Sequence, residues 1–67
     1  MNATDQEKLC KAGYLILRAE DRGDKHIIKM KTVVQPRAWV FHSEYPTKVA
    51  RDRVLQHMLE DPKTIED

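Results

Sequence analysis

The side chains able to do chemistry in this chain are three histidines, one cysteine and a run of basic groups. A nucleophile–base pair needs a thiol or hydroxyl within reach of an imidazole, and a metal centre needs ligands at set spacings. His26, His42 and His57 are scattered, and none adjoins a nucleophile pattern. Cys10 stands alone near the start and reads as a small hydrophobe on a helix. The two glycines, Gly13 and Gly23, are isolated and form no phosphate-cradling loop. No catalytic residue, metal or cofactor is expected, and the chain reads as non-enzymatic.

The basic groups carry more information. The net charge is only +1, but it is unevenly placed. Residues 8–37 hold eight Lys or Arg against three carboxylates, while both flanking segments are acidic. A basic hairpin suits an anionic partner. It equally suits a solvated sheet face kept soluble by lysine. A second cationic group, Lys48, Arg51 and Arg53, opens the best helix of the sequence, and Glu60 and Asp61 close it. Both placements oppose the helix macrodipole, at about 0.3–1 kcal/mol each when exposed. Cations around free helix N-terminal amides describe an anion site, with Lys48 and Arg51 as its candidates. Exposed charges that tolerate a small penalty describe the same residues.

These groups need elements to position them. Thr4-Asp5-Gln6-Glu7 matches a capping box and predicts a helix over about 5–12, closed by Gly13 in the left-handed C′ position. Tyr14 to Ala19 is aromatic and branched, and predicts a strand over about 14–20. Gly23 supplies the turn. A second strand, about 25–34, alternates, so that Ile28 and Met30 face the core while Lys29 and Lys31 share a solvent face with Ile27. Pro36 bends the chain into a third strand over about 37–42, with Trp39 and Phe41 on one face and Val40 on the other. Thr47 caps a helix over about 48–60, whose stripe is Ala50, Val54, Leu55, Met58 and Leu59. Pro62 stops it, and residues 62–67 read as a polar tail.

The expected fold is α+β: a three-stranded antiparallel meander packed against a C-terminal helix, with a short N-terminal helix. Sixty-seven residues form one domain, ordered over about 4–61. Such a domain buries only about 60% of its unfolded surface. The expected core is Leu15, Leu17, Ile28, Met30, Val40, Val54, Leu55 and Met58, with Trp39 at least partly buried. One cysteine cannot form an intrachain disulfide, and a lone thiol fits a reducing cytoplasm. The first ten residues show no signal peptide, and the longest apolar run, Tyr14–Leu17, is far short of the roughly 18 residues of a membrane span.

Two resemblances follow. Three strands and a helix, with Gly13-Tyr14, Trp39 on the third strand and Tyr45-Pro46-Thr47-Lys48 before an Ala-containing helix, resemble the arm-type DNA-binding domains of tyrosine integrases and the related AP2-like domains. The likeness covers about residues 13–60. It departs after Thr47, where an acidic residue and then Ala are expected and Val49 and Ala50 follow Lys48 instead. It implies a sheet that enters the major groove, with Arg18, Lys29, Lys31 and Arg37 as backbone contacts. The TDQEK-like start and the K-x-A-R-D-R helix also resemble small uncharacterised bacterial proteins of Bacteroidetes type, which implies no function. The expected role is therefore an interaction module that binds a protein partner or itself. The alternative is a nucleic-acid binder using the basic hairpin and the start of the second helix, weakened by a net charge near zero.

Overall fold

The computed structural model describes residues 1–67. The elements run α1 (Ala3–Lys11), β1 (Leu15–Arg22), β2 (Lys25–Lys31), β3 (Val40–Tyr45), α2 (Lys48–Met58) and β4 (Thr64–Glu66). The fold is α+β, with β1, β2 and β3 an antiparallel meander and β4 added in parallel to β1. The sheet order is β3-β2-β1-β4. Since α2 follows β3 at one edge and leads to β4 at the other, it must cross the whole sheet.

Local chemistry sets the ends of these elements. The cap of α1 is Asn2, whose Oδ1 accepts from the Asp5 amide at 2.8 Å, so the helix starts before the Thr4 box. Both residues are good caps, and the earlier one adds helix for the same single bond. At the other end Gly13 has φ +97°. There the amides of Gly13 and Tyr14 donate to the carbonyls of Cys10 and Leu9, the paired bonds of a Schellman close. The β1–β2 loop is only Gly23-Asp24, and φ +62° at Gly23 with no positive φ at Asp24 is the type II′ pattern. Thr47 caps α2 by accepting from the Ala50 amide at 3.1 Å.

Side-chain alternation gives the sheet two faces. One carries Leu15, Leu17 and Ala19 of β1 beside Ile28 and Met30 of β2, and α2 covers it. Leu17, Ile28 and Leu55 form its buried centre, with Leu15, Met30, Val54, Met58 and Tyr45 packed around them. The other carries Ile16, Arg18 and Glu20 beside Lys31, Lys29 and Ile27, and α1 covers the Ile16–Lys31 end. The second face is not the solvent face that alternation implies. Ile16, Ile27 and Lys31 are all buried there, together with Cys10 and Gln6. A short N-terminal helix laid over the Lys31 end converts it into a second, mixed core in which Gln6 and Lys31 are buried with Cys10 and Ile16.

Three further differences have physical causes. The β2–β3 connection takes residues 32–39, which moves the third strand from the expected 37–42 to Val40–Tyr45. A bulge between Ile28 and Lys29 then skips one residue, His42, so Val40 and Ser43 share the α2 face. Phe41 falls on the opposite face at the sheet edge and is 57% exposed. Finally, the expected polar tail is a strand. Asp61 accepts from the Thr64 amide through its carbonyl and from the Lys63 amide through its carboxylate, making a tight turn with Pro62 next to it. That turn aims Thr64–Glu66 along β1, where Leu15 donates to the Lys63 carbonyl and Asp67 donates to that of Leu17.

The accessible surface is 4421 Å², close to the roughly 4,400 Å² of a compact monomer of this mass. Leu17→Ala is expected to lower stability by about 2–5 kcal/mol. A domain of 67 residues holds only about 3–10 kcal/mol in total. Urea denaturation followed by circular dichroism measures this, and a loss under about 1 kcal/mol would contradict the packing described.

Candidate functional site

The six basic residues singled out in sequence do not share a surface. Arg18, Lys29 and Lys31 lie on the α1 face of the sheet, and Arg37 stands in the β2–β3 connection beside α1. Lys48 and Arg51 are on α2, across the sheet. Arg51 is only 3% exposed and points inward along the apolar stripe that continues to Leu55.

Most of these cations are already neutralised. Arg18 pairs with Asp67, its Nε donating at 3.0 Å and its Nη2 at a shorter distance. Lys29 Nζ lies 3.0 Å from Glu20, which also takes Arg22 at 2.8 Å. Arg37 donates to Glu7 at 2.9 Å, and Glu7 also holds Lys11 at 3.0 Å. Arg51 donates to Asp21, to Asp52 and, at 3.3 Å, to the Glu20 carbonyl. Only Lys31 and Lys48 form no ion pair, and Lys31 is 5% exposed. Four of the six are therefore paired with acid, and the six do not form one basic surface.

Two polar clusters emerge. The first joins four parts of the chain on the α1 face. Lys31 Nζ donates to Gln6 Oε1 at 2.7 Å, and Gln6 Nε2 donates to Asp67 Oδ1 at 2.6 Å. Arg18 completes the chain at the other oxygen of Asp67. Trp39 lies against both cations, its ring centroid 4.4 Å from the Arg18 guanidinium and 4.8 Å from Lys31 Nζ. Trp39 thus serves as a half-buried cover for two charges. The second cluster sits under the first turns of α2. Asp21 accepts from Arg51 and from His26 Nδ1, the latter at 2.8 Å.

Charge pairing shifts the acids of both clusters downward. Arg18, and then Gln6, hold the Asp67 carboxyl below its ordinary value. His26, and then Arg51, do the same for Asp21. Lys29 lowers Glu20, and Lys11 with Arg37 lowers Glu7. Burial opposes the charge on Arg51, but Asp52 and Asp21 outweigh it and raise its pKa. Burial pushes the Cys10 thiol up, with the nearby Lys31 charge acting weakly against it. A thiol so placed is a poor nucleophile.

The histidines stand apart. His26 is bound to Asp21, His42 Nδ1 meets the Ser43 hydroxyl at 2.7 Å, and His57 lies 3.4 Å from Glu60 on the outer side of α2. No group of three or more His, Cys, Asp or Glu is arranged to hold a metal ion. One open cleft of about 430 Å³ lies between the β1–β2 turn and the end of β3, lined by Asp24, Lys25, Glu44, Tyr45 and Pro46. No helix is long and apolar enough to cross a membrane.

Exposed apolar side chains lie where sequence reasoning did not look. Val33 is 60% exposed and Val34 81%, both in the β2–β3 connection, and Phe41 lies on the edge strand that follows it, while Val49 on α2 and Met1 are exposed elsewhere. The signal was available in Val33-Val34-Gln35-Pro36, where an apolar pair precedes a proline that ends the strand. No protein-family model matches the chain, and no curated protein or solved structure matches it.

Two outcomes test the first cluster. Gln6→Leu leaves the Lys31 ammonium and Asp67 without their shared amide and is expected to destabilise by about 1–3 kcal/mol. Combining it with Lys31→Met removes donor and acceptor together, so the double variant is expected to lose less than Gln6→Leu alone. Equal losses for the two in urea titrations would contradict the assigned roles. The depressed carboxylates also fix a pH dependence. Their folded pKa values lie below the unfolded ones, so their stabilisation is complete above the unfolded values and lost as pH falls through the folded ones. Denaturation midpoints are expected to be level above about pH 4.5, the ordinary value for Glu7 and Glu20, and to fall below it. Asp67→Asn should flatten that acid limb; an unchanged limb counts against the Arg18–Asp67 pair.

Proposed function

We propose that this chain is a small non-enzymatic interaction module that binds a protein partner or a second copy of itself. The observation that carries the reading is the exposure of large apolar side chains on one connection and the strand after it: Val33 and Val34 between β2 and β3, and Phe41 on β3, the open edge strand. Apolar side chains left in water at one place are the usual mark of a surface meant to be covered. The edge itself is a weak template for strand addition, because the bulge at β3, Glu44 and the following Pro46 blunt it. Contact through these side chains fits better than strand pairing.

The separated histidines and the raised Cys10 thiol support a non-enzymatic role. The buried free thiol also suits a reducing cytoplasm. Nucleic-acid binding is the weaker reading. Arg18, Lys29, Arg37 and Arg51 each hold a carboxylate, and Lys48 lies across the sheet from Arg18, Lys29 and Lys31. Releasing those cations to phosphate would leave acids without partners.

Sedimentation and light scattering, with affinity recovery under native conditions, test the proposal: a strict monomer with no partner would overturn it. Titration with duplex and single-stranded DNA at about 50 mM salt is expected to show no binding. Salt-sensitive binding lost in Lys29→Glu would instead establish the nucleic-acid role.

A further inference from the structure

The turn after β2 breaks a local rule. Thr32 to Gln35 closes with the Gln35 amide donating to the Thr32 carbonyl at 3.1 Å. The Thr32 hydroxyl oxygen also accepts from the Val34 and Gln35 amides, at 3.2 and 3.4 Å. The two central positions of such a turn favour Gly, Pro, Asn, Asp or Ser. Here they are Val33 and Val34, two stiff β-branched residues that the fold leaves 60% and 81% exposed. Neither joins the core under α2. A local rule broken with no gain inside the fold points to a gain outside it.

Resting on the interaction-module reading, we propose that the Thr32–Gln35 turn is the contact point, and that it inserts Val33 and Val34 into an apolar pocket of a partner protein with carboxylates at its lip. The Thr32 bonds hold the pair in place before binding, which reduces the ordering entropy of association. The charge of the lip follows from Arg37, two residues past the turn and with its side chain 80% exposed. It bonds Glu7 through Nε alone, which leaves the rest of its guanidinium fork for a second carboxylate.

A second copy of this chain does not fit that description. Its one cleft is lined by Asp24, Lys25 and Glu44 around Tyr45 and Pro46, which would bury valine against charge. A lipid surface fits no better, since two valines and one cation fall short of an anchor.

The test places a photo-crosslinking amino acid at Val34 in the full chain, in cells that make it, with exposed Gln56 on α2 as the control position. The expected result is one protein adduct from position 34 and none from 56, mapped to apolar residues bordered by Asp or Glu. The purified partner should then bind the double variant Val33→Ser, Val34→Ser at least about tenfold more weakly than the unaltered chain. The variant's denaturation midpoint should be unchanged. Arg37→Glu should weaken binding too, with a smaller salt dependence. Adducts to lipid, to nucleic acid or to the chain itself would overturn the proposal, as would an adduct site lacking carboxylates. A partner that binds the double variant equally well removes this contact but leaves the interaction module standing. Absence of any protein partner removes both.

Discussion

The structure depends on how it accommodates one buried ammonium. Lys31 sits on the sheet beneath α1 with no carboxylate against it. An isolated buried charge costs several kcal/mol unless polar groups replace its water. Gln6 supplies an oxygen, Trp39 supplies the face of its ring, and Asp67 supplies negative charge one amide away. Those three come from α1, from the β2–β3 connection and from the residue that follows β4. Solvating Lys31 therefore requires both ends of the chain to be in place, and α1 has little else to hold it. Its buried side chains are Gln6 and Cys10.

The two sheet faces are consequently built from different forces. Under α2 the contact is apolar, nondirectional and tolerant of small shifts. Under α1 it is polar and directional, and one amide serves two partners at once. A polar core of this kind contributes less net stability than an apolar one of equal size, but it admits fewer alternative arrangements. Arg51 adds a similar element on the α2 side. It reaches from the helix to the β1–β2 hairpin, where Asp21 also holds His26. Each helix is thus fixed in rotation on the sheet by a charged contact that hydrophobic packing alone would not supply.

How far the sequence disclosed all this can be judged residue by residue. Gly13 and Gly23 act through their own backbone and Thr47 through its hydroxyl oxygen, and each does what its local chemistry implies. Leu17, Ile28 and Leu55 follow from periodicity, which reports one covered face well. Lys31 was misread because alternation distinguishes the faces and does not say how many are covered. Arg51 was misread because a charged residue in line with an apolar stripe is counted as its boundary, whereas here it is the stripe's first member. β4 was missed because three residues are too few for a periodic signal, and the turn at Asp61 that positions them acts through tertiary pairing.

The candidate site shows the same limit in its sharpest form. Charge counted along a segment treats neighbours in sequence as neighbours in space. Folding brings Asp67 to Arg18 and Glu7 to Arg37, pairs separated by most or nearly half of the chain. Part of the basic middle is thus cancelled by acid from the two ends, Glu7 and Asp67, and part by Glu20 within it. The large apolar side chains left outside the core are Val33 and Val34 on a tight turn, Phe41 at the sheet edge, Val49 on α2 and Met1. Cations held by acids within the fold are that much less free to meet a phosphate backbone, which is why a charge count along the sequence overstates them.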